Sequence, residues 1–137
     1  MKKDILFPKA EGVSVCVVHE KSEDFPDQKV WNVYLINESR TILENVMVSS
    51  TGYIEQLNGE KKSSSTLRHY FKDVKARSFI KIEPIIEQVF QLNNEYWVSF
   101  YKNNSLFDKK FIFLPESIHE KNFTDIPIIK QKGVWIK

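Results

Sequence analysis

Cysteine is nearly absent from this chain, since Cys16 is the only one among 137 residues. A single cysteine cannot form an internal disulfide, and a chain of this length can bury a core without one. Cys16 stands between valines in an alternating apolar run, where a thiol acts as a small hydrophobe and not as a nucleophile. The sequence therefore predicts neither a disulfide framework nor a cysteine-based active site.

Long apolar runs are missing as well, because no stretch approaches the roughly 18 uninterrupted apolar residues of a membrane span. A secretory signal combines a basic start with about 7–15 apolar residues. Lys2 and Lys3 supply the basic start, but Asp4 follows at once and the short apolar run 5–7 stops at Pro8. We therefore expect no export signal, a cytoplasmic location and no membrane partner.

Glycine is scarce, with four residues, which excludes collagen-like and glycine-rich low-complexity chains. The run 59–63, Gly-Glu-Lys-Lys-Ser, superficially resembles the end of a phosphate-binding loop. The full motif needs an earlier glycine, and Ile54 stands at that position. It also needs a helix after the loop, whereas a strand pattern follows here. The sequence thus predicts no phosphate-binding loop.

The three histidines, His19, His69 and His119, are not spaced along the chain as the ligands of a metal site are. Among the carboxylates, Glu83 and Glu87 lie near a predicted crossover between strands. A general acid and a general base must share a cleft, which sequence spacing alone does not indicate. We therefore predict no metal, no cofactor and no catalytic residue, and we interpret the chain as a protein other than an enzyme.

Strand-like alternation is abundant, since the apolar positions recur with a period of two. The predicted strands lie at residues 12–20, 30–37, 43–53, 66–71, 77–83, 95–102 and 105–114. The first two are apolar on both faces, which is typical of strands that are covered on both sides. Pro84 is expected to end the fifth strand. Residues 85–92 are expected to form one or two helical turns that cross between sheets.

Three turns are predicted from their polar residues. Residues 37–40 are predicted to form a turn, because the side chain of an asparagine such as Asn37 readily forms hydrogen bonds with the neighbouring backbone in turns. The pair Asn58-Gly59 predicts a tight type I′ turn, which needs positive φ at both positions. The two-residue link 103–104, Asn-Asn, joins two aromatic-rich runs and therefore predicts a hairpin.

The number and spacing of these strands predict an all-β fold, an antiparallel immunoglobulin-like β-sandwich of about seven strands. A short helical crossover and an irregular C-terminal tail complete it, with residues 134–136 as a candidate last strand. The chain is interpreted as one domain, residues 1–137, with a core at 12–114 and a tail at 115–137 that packs on the core. The cysteine pair of antibody domains is absent, and the fold alone implies no function.

Charge is unevenly distributed, although 20 Lys and Arg nearly balance 18 Asp and Glu. Residues 11–27 hold five acidic residues against one lysine, and residues 59–81 hold seven basic residues against two acidic ones. With Tyr70 and Phe71 interleaved, this basic segment is a candidate anion- or RNA-binding face. Its basic residues are Lys61, Lys62, Arg68, Lys72, Lys75, Arg77 and Lys81. We favour the alternative that these lysines prevent edge-to-edge pairing of strands, so nucleic acid is at most a weak partner.

Aromatic residues make up 13% of the chain and include ten phenylalanines. Many of them must lie in the core of a sandwich. The alternation places four of them on inward positions: Trp31, Phe100, Phe111 and Phe113.

A second set of aromatics falls on the opposite strand face. Tyr96 and Phe100 share one face of their strand, and Trp97 and Tyr101 share the other. We expect the tail to cover this second face, because its many apolar residues must pack somewhere to stay ordered. The alternative is an exposed patch for a protein partner, with Tyr70, Trp97 and Tyr101 as candidate contacts.

Five short runs resemble a family of short bacterial proteins of unknown function. They are Val-Tyr-Leu-Ile-Asn at 33–37, Leu-Glu-Asn-Val at 43–46, Thr-Leu-Arg-His at 66–69, Lys-Ile-Glu at 81–83 and Leu-Phe-Asp-Lys at 106–109. Such proteins are sometimes labelled as an alpha subunit of phenylalanyl-tRNA synthetase. That enzyme class needs an arginine that grips ATP in a Phe-Arg-x-Glu-type motif, and the nearest run, 67–70, lacks the acid. The sequence does not support the label, and the resemblance implies no site residue.

Three function hypotheses follow from the sequence. The first is a non-catalytic β-sandwich that binds another protein or itself, since no reactive constellation is found and aromatics are in surplus. The second is an RNA- or tRNA-associated protein that uses the basic segment 61–81. The third is an enzyme whose acids and His69 converge only in three dimensions. A flat exposed aromatic patch favours the first hypothesis, and a deep polar cleft with clustered His and Glu favours the third.

Overall fold

Strands linked by tight turns make up most of the computed structural model, which describes residues 11–137. The described strands are β1 (Val13–Lys21), β2 (Lys29–Asn37), β3 (Leu43–Glu55), β4 (Lys61–Ser63), β5 (Leu67–Val74), β6 (Ser78–Ile85), β7 (Asn93–Lys102), β8 (Ser105–Phe113), β9 (Thr124–Ile126) and β10 (Gln131–Ile136). Short 3-10 helices lie at Glu87–Val89 and Glu120–Asn122. The prediction of no export signal depends on residues 1–10, which lie outside the described residues.

Two antiparallel sheets share one core, so the predicted all-β fold of two packed sheets is confirmed. Sheet A has the order β6-β2-β1-β10-β9, and sheet B has the order β4-β3-β7-β8, with β5 also pairing with β3. The expected count of about seven strands is wrong, since ten are described. The additional strands β4 and β9 have three residues each, which is too short for an alternating pattern to indicate them.

The strands β1 and β2 are covered on both faces, as their apolar alternation predicted. Val15 and Val17 of β1 point into the core between the sheets, and Cys16 and Val18 point outward, yet all four are fully buried. The outer cover comes from the C-terminal segment, whose Ile126, Ile129 and Trp135 pack against Cys16 and Val18. Strand β10 of that segment pairs directly with β1. The middle strand of sheet A therefore has one of its two neighbours from the C-terminal part of the described chain.

The core between the sheets contains the predicted inward aromatics. Phe100, Phe111 and Phe113 are each at most 1% exposed, and Trp31 packs against the same cluster while partly buried. Phe100 stacks on Phe107 with ring centroids 5.4 Å apart. These rings fix which face of sheet B is inside, and that choice decides which residues of the same strands face outward.

The turn that follows β2 forms as predicted, around the buried side chain of Asn37. Its Oδ1 accepts hydrogen bonds from the backbone N–H and the hydroxyl of Ser39. Its Nδ2 donates to the carbonyl oxygens of Thr41 at 2.9 Å and Lys75 at 3.0 Å. Asn37 therefore ties the β2–β3 turn to the β5–β6 turn.

The predicted hairpin across residues 103–104 is confirmed. Asn103 and Asn104 have φ of 51° and 63°, and Lys102 pairs with Ser105 across the turn. The turn at Asn58-Gly59 exists, but the type I′ prediction is wrong because only Gly59 of that pair has a positive φ, at 86°. Leu57 joins the pair in a three-residue loop, which the backbone hydrogen bond from Gln56 to Glu60 closes.

The end of the strand after β5 differs from its prediction, which placed that end at Pro84. Pro84 lies inside β6 and does not end it, because β6 is the edge strand of sheet A and needs no second partner for its backbone. The crossover that follows is the 3-10 helix Glu87–Val89, which links sheet A to sheet B. The predicted short helical crossing between sheets is therefore confirmed.

Candidate functional site

The three candidate partner-contact aromatics share one surface, the outer face of sheet B. Tyr70 is 58% exposed, Trp97 is 44% exposed and Tyr101 is 42% exposed. The expectation that residues 115–137 cover Trp97 and Tyr101 is wrong, since the apolar residues of that segment pack against sheet A and the core. Strand order places β10 in sheet A, and local sequence does not encode that order.

The strand register brings two further apolar side chains to the same surface. Met47 on β3 is directly opposite Tyr70 on β5, and Leu106 on β8 is directly opposite Tyr101 on β7. Both are more than half exposed. We call this surface the aromatic face, formed by Met47, Tyr70, Trp97, Tyr101 and Leu106.

Charged residues of both signs surround the aromatic face. The ammonium of Lys110 lies 5.0 Å from the ring centroid of Trp97 and 3.9 Å from Oε1 of Glu95. In the ladder, Arg68 is in register with Ser49, which is in register with Trp97, and Asp108 is opposite Ser99. Because acids and bases are interspersed, this surface does not produce a strong field of one sign.

The seven residues of the predicted basic face are distributed over both sheets. Lys61 and Lys62 lie on β4, Arg68 and Lys72 on β5, Lys75 and Arg77 between β5 and β6, and Lys81 on β6. Arg68 and Lys72 flank Tyr70 on the same face of β5, and Arg68 is also in register with Trp97 through Ser49. Strands β5 and β6 each pair with one neighbour, so these bases line strand edges, where Lys and Arg discourage pairing with other chains. Binding of RNA by this segment stays a prediction.

A largely but not fully buried carboxylate between the sheets forms a second candidate site. Glu83 on β6 has a side chain only 11% exposed. Its Oε1 accepts hydrogen bonds from the Ser50 hydroxyl at 2.9 Å and from Nε2 of His69 at 2.7 Å, and its Oε2 accepts from the Tyr96 hydroxyl at 3.0 Å. His69 and Glu83 therefore meet, as the enzyme hypothesis required, and Ser50 and Tyr96 are residues that the sequence did not single out.

The hydrogen bonds at Glu83 do not activate a nucleophile. The Ser50 hydroxyl donates to Glu83 and not to His69, so no imidazole stands ready to take its proton. Burial raises the pKa of Tyr96, and the adjacent negative charge of Glu83 raises it further, so the phenol keeps its proton. The arrangement holds one carboxylate with three donors around it.

A third polar cluster fixes Glu20 on the outer side of sheet A. Its carboxylate accepts from Asn32 Nδ2 at 2.7 Å, the Tyr34 hydroxyl at 2.6 Å and Gln131 Nε2 at 3.0 Å. Burial works to raise the pKa of Glu20, but these hydrogen bonds outweigh it and leave the pKa below its usual value. The cluster joins β1, β2 and β10, which is a structural role.

The thiol of Cys16 is protected from reaction in the folded chain. Cys16 is unpaired and completely buried, and burial raises the pKa of its thiol to about 12. Within residues 11–137, no group of three or more His, Cys, Asp and Glu side chains is arranged to hold a metal ion. Across the same residues, no helix is long and apolar enough to cross a membrane.

Comparisons with protein-family models, with characterised proteins and with solved structures find no match to this chain. The resemblance to short bacterial proteins therefore stays a prediction.

Proposed function

We propose that this protein is a non-catalytic interaction module that pairs with a second copy of itself through the aromatic face of sheet B. One observation supports this above all: the outer face of sheet A is covered by the chain's own C-terminal segment, whereas sheet B presents five large apolar side chains that are 42% to 59% exposed. An uncovered cluster of this kind marks an interaction surface on a folded protein.

The composition of the aromatic face fits a protein partner. Tyr, Trp, Met and Arg are the residue types enriched at protein interfaces, and Tyr70, Trp97, Met47 and Arg68 supply one of each. A nucleic-acid surface needs a cationic field, which the acids interspersed here oppose. The nearby acids and bases instead fit a surface that bears the same mixture, and a second copy presents it.

The size of the face is adequate for a dimer of moderate affinity. Strands β7 and β8 of sheet B have ten and nine residues. With strands about 4.8 Å apart and a rise of about 3.4 Å per residue, four strands of this length give the whole outer side of sheet B, of which the aromatic face is a part, roughly 500 Å² of flat area. The accessible surface area is larger than this flat area because side chains protrude from the sheet. It therefore approaches the approximately 800 Å² per partner of a standard interface.

The same proposal includes an immunoglobulin-like sandwich. Strand β2 pairs with β6, β3 pairs with β7, and β7 pairs with β8. Strands B and E, C and F, and F and G make these pairings in that fold, and β9 and β10 then extend the first sheet. The unpaired Cys16 supports the proposed cytoplasmic location, where thiols stay reduced.

Sedimentation equilibrium over a series of protein concentrations tests the proposed pairing. The wild type is expected to show a monomer–dimer equilibrium. Trp97→Ser is expected to weaken dimerisation at least about tenfold, because aromatic anchors dominate interface energies. The matched control is Phe25→Ser, which removes an aromatic side chain that is 63% exposed in the β1–β2 loop, and its dissociation constant is expected to equal that of the wild type.

Three results would count against the pairing. One is a wild type that stays monomeric at every concentration, and another is a Trp97→Ser variant that dimerises as tightly as Phe25→Ser. The third is a monomer whose tryptophan fluorescence is quenched by single-stranded RNA in the wild type but not in Trp97→Ser, which would replace this proposal with nucleic-acid binding.

A further inference from the structure

A cleft of about 300 Å³ opens between the two sheets beside Glu83. It exists because the ladder along one edge of β3 is interrupted, with β4 ending at Ser63 and β5 beginning at Leu67. Gly52 of β3 keeps the opening free, since a Cβ there would lie 3.0 Å from Leu92 Cδ1 and 3.5 Å from Ser64 Oγ. The cleft is therefore a consequence of the strand pairing and of a residue without a side chain.

A carboxylate and an amide oxygen are among the polar groups that line the cleft. The hydroxyls of Ser50 and Tyr96, and the N–H of His69, are all directed at the Glu83 carboxylate. Asn94 is 7% exposed, and its Nδ2 donates to the carbonyl oxygens of Val89 and Leu92. Its Oδ1 is left beside Gly52, 3.6 Å from the position of a Cβ at that residue. These donors are thus engaged, while Oδ1 of Asn94 accepts no hydrogen bond from the described residues and can accept one from a ligand.

The charge of the cleft is negative. Glu83 and Glu95 are the ionisable carboxylates among its described lining residues, and no Lys or Arg is among them. Glu95 also approaches Lys110, and Glu83 is hydrogen-bonded to Nε2 of His69.

The remaining walls of the cleft are apolar. Ile85 and Val89 line its inner part, and Leu67 and Ile86, which are 53% and 61% exposed, stand where it meets solvent. A bare ammonium ion gains nothing from such walls, because it stays better hydrated in water. A cation on a hydrocarbon stem gains binding free energy from the apolar walls and from the polar groups. The stem displaces water from the apolar surface, and the charged head donates hydrogen bonds to the acceptors.

We propose that this cleft binds a protonated aliphatic primary amine. The ammonium group donates to Glu83 and to Oδ1 of Asn94, and the alkyl stem lies along Leu67, Ile86 and Val89. The same chemistry occurs in a free alkylamine and in the side chain of a lysine. The groups that contact the amine lie between the sheets, whereas the aromatic face lies on the outer side of sheet B, and Glu95 borders both sites.

Titration of isotope-labelled protein with n-pentylamine, followed by the amide NMR signals, tests the site. We expect saturable shifts at Gly52 and Asn94 with a Kd on the order of 1 mM, as suits a ligand of few atoms. The neutral isostere n-pentanol is expected to bind at least about tenfold more weakly, because it lacks the charge-assisted hydrogen bond. N-acetyl-lysine amide distinguishes the two sources: binding as tight as that of pentylamine indicates a lysine side chain, and weaker binding indicates a free amine.

Two variants and one control assign the binding to Glu83. Glu83→Gln keeps the shape of the side chain and removes its charge, so it is expected to weaken pentylamine binding at least about tenfold. Glu20→Gln neutralises the other carboxylate that accepts three hydrogen bonds, on the outer side of sheet A, and is expected to leave binding unchanged. Gly52→Ala places a methyl group in the cleft and is expected to weaken binding without any change of charge.

The proposal is overturned by pentanol binding as tightly as pentylamine, by equal affinities in Glu83→Gln and Glu20→Gln, or by the absence of saturable shifts at Gly52 and Asn94. If Glu83→Gln does not fold, Gly52→Ala decides, and an unchanged pentylamine affinity in that variant contradicts the proposal.

Discussion

Phe100→Ala is expected to lower the free energy of unfolding by about 3–5 kcal/mol, whereas Tyr101→Ala is expected to change it by less than about 1 kcal/mol. The two residues are neighbours on β7 but lie on opposite faces of it. Phe100 is fully buried and stacks on Phe107 at 5.4 Å, so its removal leaves a cavity. Tyr101 is 42% exposed on the aromatic face, where water can replace its contacts.

Urea-induced unfolding of both variants and the wild type measures this difference. The experiment is done at a protein concentration below that of dimer formation, so that Tyr101→Ala reports on the monomer alone. Equal losses of stability in the two variants would contradict the assignment of inner and outer faces to sheet B. The aromatic face would then lose its basis, since it depends on the same alternation.

Gly133→Ala is expected to destabilise the fold by about 3 kcal/mol or more, although it adds a single methyl group. A Cβ at Gly133 would lie 2.3 Å from the carbonyl oxygen of Val17 and 2.9 Å from Ile126 Cδ1. The Val17 oxygen belongs to β1, the middle strand of sheet A, which is held by β2 and β10 on its two sides. The backbone therefore has little freedom to move away from the added methyl group.

Gly59→Ala is the matched control for this substitution. Gly59 lies in the β3–β4 loop with a φ of 86°, and a Cβ there would have no neighbour within 4 Å. The expected loss is about 1–2 kcal/mol, which comes from the positive φ alone. Thermal or urea unfolding of the two variants compares them. A Gly133→Ala variant no less stable than Gly59→Ala would contradict the placement of β10 against β1.

Much of the sandwich is predictable from sequence because one buried face determines the register of a strand. The alternation of Tyr96 and Phe100 with Trp97 and Tyr101 is confirmed by their burial and exposure. The position of the C-terminal segment is not predictable in this way. The order of strands in a sheet depends on which distant segments meet, so the choice between covering sheet A and covering sheet B is absent from local periodicity.

The Glu83 cluster shows a related limit. Ser50, His69 and Tyr96 are separated from Glu83 by 33, 14 and 13 residues, so no motif spacing connects them. A weaker signal was present in the alternation. Ser50 lies two positions after the inward Val48, and His69 lies two positions before Phe71, so both polar side chains fall on the core side of their strands. Polar residues at inward positions predict that a buried polar cluster exists. They do not predict which residues of other strands belong to it.

Alkylation of a thiol placed within the aromatic face tests the central claim most directly, which is that a second copy covers this face. Ser99→Cys introduces that thiol between Trp97 and Tyr101, and Ser22→Cys introduces a thiol at another partly buried serine, in the β1–β2 loop. Cys16 does not interfere, because it is buried and its thiol pKa is raised to about 12. The measurement is the rate of reaction with iodoacetamide as a function of protein concentration.

The account predicts that the rate for Ser99→Cys falls several-fold as the protein concentration rises, while the rate for Ser22→Cys stays constant. A rate for Ser99→Cys that does not change with concentration would contradict the pairing of two copies through the aromatic face of sheet B.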